Sequence, residues 1–197
     1  MPSLIDRVRA GLLASDSPVL TGDQDFGSFG TTPSSLLVPA AVLVPIIRAS
    51  EPRLLLTTRT SHLRNHAGQV AFPGGRIDTA DEGPVAAALR EAQEEIGLEP
   101  SAVDVIGMGD PYQTGTGYSV QPVVGAIEPG LSFSPNPHEV ADLFEVPLAY
   151  ALDRRNHLLR EAEWQGRLRR YYVIEYEGRM IWGATAGMLV NLAARLA

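Results

Sequence analysis

The chain has 197 residues, with 23 acidic against 16 basic side chains, a formal net charge of −7 and no cysteine. That length suits one domain with a sizeable core. The acidity excludes a global basic field for nucleic acid, and the lack of cysteine excludes a disulfide framework and thiolate chemistry. No apolar run approaches the roughly 20 residues of a membrane span. Asp6, Arg7 and Arg9 interrupt the N-terminal segment, so it does not read as a signal peptide. The expectation is a cytoplasmic protein with neither nucleic-acid nor membrane partners. An anionic small-molecule substrate would then need a local basic site.

Residues 2–14 read as an amphipathic helix, with Leu4, Ile5, Val8, Leu12 and Leu13 on one side. Residues 15–35 are rich in Ser, Asp, Gly, Thr and Pro and read as a long connection. Residues 1–35 are therefore expected to form an extension of a domain spanning 36–197. Ala40–Arg48 is apolar at nearly every position, as a strand buried on both faces is. Glu51-Pro52 turns the chain into a second strand, Arg53–Arg59, and Gln69–Phe72 is a short strand before a Pro-Gly-Gly turn.

Further on, Ala102–Gly109 and Tyr118–Ile127 read as strands, and Pro122 marks the latter as an edge or a bulge. Pro147 turns the chain into a short helix. Arg170–Tyr176 and Arg179–Trp182 form a hairpin through Glu177-Gly178. Thr185–Leu196 is a terminal helix. Strands alternating with well-placed helices imply an α/β fold with a mixed, curved sheet between helices.

Residues 74–98 carry the chemistry. Pro84 suits a first helical turn, Thr79 and Glu82 have capping-box spacing, and Gly97 supplies a left-handed stop. Val85, Ala88, Leu89, Ala92 and Ile96 make one apolar stripe. Glu91 and Glu95 are four apart and share a face, and Glu94 sits beside them. Three carboxylates repel one another at the end of the helix dipole that disfavours anions. A hard divalent cation with oxygen ligands compensates such a cluster.

This stretch resembles the Nudix box, G-x5-E-x7-R-E-U-x-E-E-x-G-U with U aliphatic. Arg90-Glu91-Ala92-Gln93-Glu94-Glu95-Ile96-Gly97-Leu98 matches its second half, and Glu82 stands at the isolated Glu. The pattern's first Gly falls on Arg76, one residue after Gly75. A second stretch is similar to the signature of the coenzyme A pyrophosphatase branch, L-L-T-x-R-[SA]-x3-R-x3-G-x3-F-P-G-G. Leu55-Leu56-Thr57-Thr58-Arg59, Arg64, Gly68 and Phe72-Pro73-Gly74-Gly75 match it, and Thr60 departs from the usual Ser or Ala.

The resemblance implies an α/β/α sandwich and hydrolysis of the coenzyme A pyrophosphate to 3′,5′-ADP and 4′-phosphopantetheine, with Mg²⁺ or Mn²⁺ as cofactor. Glu91 and Glu95 are then the main metal ligands, and Glu94 is a third ligand, binds a second ion or takes part in catalysis. Arg90 orients the glutamates. Glu82 either ligates metal or completes the helix cap. Glu139 is the candidate general base, following a loop that Nudix enzymes use to bring a further Glu to the metal. Arg59, Arg64 and Arg76, with Gly74 and Gly75, are the substrate-binding candidates, since a guanidinium fork grips a phosphate bidentately.

His62 and His66 read as surface histidines. The arginines between Arg154 and Arg170 form a second basic patch that would hold a phosphate or face a partner subunit, and a homodimer is the expected assembly. The alternatives are a Nudix enzyme for ADP-ribose, NADH or another nucleoside diphosphate derivative, and a binding module without turnover. A phosphate-free isomerase on this fold would want a cysteine, which the chain lacks.

Overall fold

The computed structural model describes residues 2–14, 21–26, 36–61, 68–164 and 167–196. Two ten-residue strands form its centre. β2 (Val38–Ile47) and β8 (Tyr118–Ile127) run parallel, in register from Val38 opposite Tyr118 to Ile47 opposite Ile127. Because side chains alternate along a strand, the apolar run of β2 feeds both faces. Ala40, Val44 and Ile46 enter one core layer, and Ala41, Leu43 and Ile47 enter the other.

On one flank β3 (Arg53–Arg59) pairs antiparallel with β2, with β9 (Val140–Pro147) and with the short β4 (Val70–Ala71). On the other, β6 (Val103–Met108) and β7 (Tyr112–Gln113) pair with β8, and β1 (Thr21–Gly22) adds to β7. β5 (Gly74–Arg76) pairs antiparallel with the first half of β2.

Helices cover both faces, which makes the mixed α/β sandwich expected from the sequence. Helix α2 (Pro84–Ile96) packs Ala87, Ala88, Ala92 and Ile96 against one layer. Helices α1 (Leu4–Leu13) and α4 (Ala184–Ala194) pack Val8, Leu12, Ala186, Leu189 and Leu192 against the other. A second sheet, β10 (Leu158–Trp164), β11 (Arg167–Tyr176) and β12 (Arg179–Trp182), adds Ile174 and Ile181 to that same layer. The short helix α3 (Leu148–Ala151) follows β9 directly.

Several local expectations are corrected. Of the two expectations for Pro122, the edge is corrected, since β8 is an interior strand, while the bulge agrees with a one-residue slip there: Met108 stands opposite Val123 and Tyr112 opposite Val120. The Pro122 carbonyl accepts from the Gly109 N–H. The Gly109 carbonyl, which an ordinary residue's N–H would meet, instead accepts from the Gln121 side chain at 2.7 Å. Helix α2 opens on Gly83 with no side-chain cap, so Thr79 and Glu82 form no capping box. Leu13 is exposed rather than part of the α1 stripe, and β9 and β10 are strands that the pattern does not announce.

Candidate active site

The Pro73-Gly74-Gly75 turn seats the acidic helix. A Cβ added at Gly75 would lie 2.5 Å from Glu91 Oε1, so a side chain there would displace that carboxylate. One residue earlier, the Gly74 backbone amide lies near the Glu95 carboxylate and lowers it slightly. Successive residues of β5 thus meet glutamates one helical turn apart, which is where residues four apart on a helix fall.

The C-terminal end of α2 is equally fixed. Gly97 takes the left-handed conformation (φ 68°, ψ 22°), and the loop after β8 donates to the last helical carbonyls. Ser134 N–H bonds Ile96 O at 2.9 Å, and Asn136 N–H bonds Glu95 O at 2.8 Å. That loop delivers Glu139 to the site. Its backbone carbonyl accepts from the Thr60 N–H at 2.9 Å, and its carboxylate accepts from the Asn136 amide at 3.3 Å. Glu139 precedes a strand, so it does not begin a helix.

Electrostatics single out Glu95. It is 3% exposed. Desolvation raises its carboxyl to about 7, with Arg59 lowering it and the Glu139 and Glu91 carboxylates raising it. Glu91 is also raised, first by burial, with Arg90 opposing and Glu94 and Glu139 adding to the rise. The Glu94 side chain is 57% exposed. Glu91, Glu95 and Glu139 therefore share one electrostatic neighbourhood, with Glu94 at its outer rim.

Arg90 spends every donor on the protein. A guanidinium has five N–H groups, and five bonds use them. Nε and Nη2 reach the two Asp81 oxygens, each at 3.0 Å. Nη2 also reaches the Arg76 carbonyl at 3.1 Å. Nη1 reaches Glu91 at 2.9 Å and Glu94 at 3.3 Å. Asp81 is the residue that sequence reasoning missed. The Nudix-box pattern points to its neighbour Glu82, which is exposed. The only available signal was an acid nine positions before Arg90, and sequence spacing alone cannot show a loop folding back.

The substrate-binding candidates divide. Arg59 points toward Glu95, with Nη1 3.7 Å from its carboxylate, and its buried Nε has no hydrogen-bond partner. Arg76 stands opposite Ala40, so its side chain leaves β5 on the face away from Glu91. There it donates to Tyr118 Oη at 3.2 Å and lies over that ring. Arg64, His62 and His66 lie outside the described residues. In the second basic patch Arg155, Arg160 and Arg170 meet Asp153, Glu175 and Glu161 at 2.6, 3.5 and 2.6 Å, so the patch is interleaved with acids.

Among the described residues, no three carboxylate or imidazole groups converge into a ready metal cage. Mg²⁺ does not require one: it is held by one or two carboxylates, with waters and substrate phosphates completing its octahedron. The buried Glu95 and the half-buried Glu91, mutually repelling oxygen donors, fit such an ion.

A mixed sheet between helices, with an acidic helix seated on a glycine turn, defines the class. Residues 37–168 match the NUDIX domain family model, and the chain belongs to the Nudix family. It is a hydrolase of the pyrophosphate-cleaving kind, and Nudix enzymes generally use divalent ions such as Mg²⁺ or Mn²⁺.

Its relatives include the uncharacterized Nudix hydrolase NudL of Escherichia coli O7:K1, 49% identical over 157 residues, which are 80% of this chain and 82% of that protein. NudL of Escherichia coli K12 is 48% identical over the same shares. A solved Nudix hydrolase from M. smegmatis, RenU, is a distant likeness: TM-score 0.46, 22% identity, covering 71% of this chain and 84% of that one. No helix among the described residues is long and apolar enough to cross a membrane.

Proposed function

We propose that this enzyme hydrolyses the pyrophosphate bond of coenzyme A or its derivatives, giving 3′,5′-ADP and 4′-phosphopantetheine. The observation that carries the substrate is the run Leu55–Gly75, with Arg59, Arg64 and the Phe-Pro-Gly-Gly turn at the spacings of the coenzyme A pyrophosphatase signature. The same run supplies β3, β4 and β5, and so leads directly into the seat of Glu91 and Glu95.

Glu91 and Glu95 would hold the divalent ion, with Glu94 as a further candidate ligand. When bound, the ion supplies charge neutralisation on phosphate oxygens and a more acidic water. Glu139 accepts the proton of the attacking water. Arg90 positions the glutamates and has no donor left for a phosphate. Arg59 lies beside Glu95 with an unused Nε–H. It is the described cation best placed to turn toward a substrate phosphate once a metal takes over the Glu95 charge.

The test is a comparison of kcat/KM on coenzyme A, ADP-ribose and NADH with Mg²⁺ or Mn²⁺, products being resolved by chromatography. Coenzyme A is expected to lead by at least tenfold. A higher value for either of the others would transfer the assignment to that substrate.

A further inference from the structure

We infer that Asp81 is a positioning residue of this hydrolase, setting the metal-side carboxylates Glu91 and Glu94 through Arg90. A guanidinium can be approached along two edges. Asp81 takes the Nε–Nη2 edge side-on with both oxygens. That grip fixes the plane of the group, so Nη1 is left facing Glu91 and Glu94. The geometry needs an acceptor with two oxygens at that edge, because a single acceptor would leave the guanidinium free to swing.

Asp81 is itself held. Its side chain is 6% exposed, its Oδ2 accepts from the Asp78 N–H at 2.8 Å, and its own N–H donates to the Asp78 carbonyl at 3.0 Å. Nη2 bonds the Arg76 carbonyl as well, so one guanidinium ties the end of β5, the 78–81 turn and two glutamates of α2. This replaces the missing side-chain cap of α2 as the link between the turn and the helix. It gives the work that the sequence pattern points to at Glu82 to the residue before it. The inference rests on the proposed function only for which carboxylates face the metal.

The test uses the full-length protein. Mn²⁺ binding is measured calorimetrically without substrate, and kcat and KM are measured on whichever diphosphate the wild type cleaves. Asp81→Asn is expected to weaken Mn²⁺ binding and lower kcat, each by about 10–100-fold, as loss of a residue supporting metal ligands does, with KM nearly unchanged. Because Asp81 acts through Arg90, the double variant Asp81→Asn/Arg90→Lys should be no worse than Arg90→Lys alone.

Additive losses, unchanged Mn²⁺ affinity, or a loss that follows Glu82→Gln instead would overturn the inference. Should Asp81→Asn not fold, Asp81→Glu keeps the charge, moves the fork by one methylene and is read in the same two assays. Mn²⁺ binding needs no substrate, so a failure of coenzyme A to react leaves this outcome readable.

Discussion

Burial, with Glu139 and Glu91 adding to it, holds the Glu95 carboxyl at about 7 against an ordinary 4.5. Between those two values the folded protein keeps a proton that the unfolded chain has lost. Stability therefore falls as pH rises through that window. The penalty is absent below about 4.5 and fully present above about 7. Glu95→Gln is expected to stabilise the metal-free protein at pH 8 by up to ~3 kcal/mol and to change little at pH 4.5. Urea unfolding with a chelator present reads this, and equal stability at pH 8 would contradict it.

Gly75→Ala tests the seat. Its methyl would press on the Glu91 carboxylate, and Mn²⁺ affinity and kcat are expected to fall roughly tenfold or more while the fold survives by circular dichroism. At this scale the sequence placed Glu91 and Glu95 together on one helix, because four-residue spacing is readable without a structure. It hid Asp81, whose pairing depends on a folded loop. It also hid the direction of Arg76, which the one-residue alternation of β5 sends to the opposite face from Gly75.

Helix α2 was legible at both ends because its stops are chemical: Pro84 opens it and Gly97 closes it in a left-handed conformation. Gly97→Ala places a side chain at φ 68° with a Cβ 3.1 Å from that of Ser134. A loss of about 1 kcal/mol is expected, read as a lower denaturation midpoint with unchanged slope. The loop between β8 and β9, whose Ser134 and Asn136 cap α2, also carries Glu139, so the same variant should lower kcat. An unaffected kcat would separate the cap from Glu139. Strands β9 and β10 were not legible, since Val140–Pro147 and Leu158–Trp164 lack clean alternation and are defined by their partners β3 and β11. Pro122 sits inside the sheet at a one-residue slip in register, and the Gln121 amide supplies the donor that proline lacks.

Across the whole molecule the N-terminal elements are bound into the sandwich. Val8 and Leu12 are in the core, Thr21 accepts from Asn191 at 2.6 Å, and Asp23 accepts from the Tyr112 hydroxyl at 2.7 Å. Burying one such aliphatic side chain contributes about 1.5–3 kcal/mol. A chain of residues 36–197 is therefore expected to lose several kcal/mol. Full stability in that fragment would show that residues 1–35 contribute nothing to the fold.

The most direct measurement follows coenzyme A hydrolysis by the wild type, Glu91→Gln and Glu95→Gln, with Mg²⁺, Mn²⁺ or chelator. The account predicts that 3′,5′-ADP and 4′-phosphopantetheine form only with added ion and that both substitutions reduce their formation by at least a hundredfold. Product formation that persists in chelator, or is unchanged by both substitutions, would contradict it.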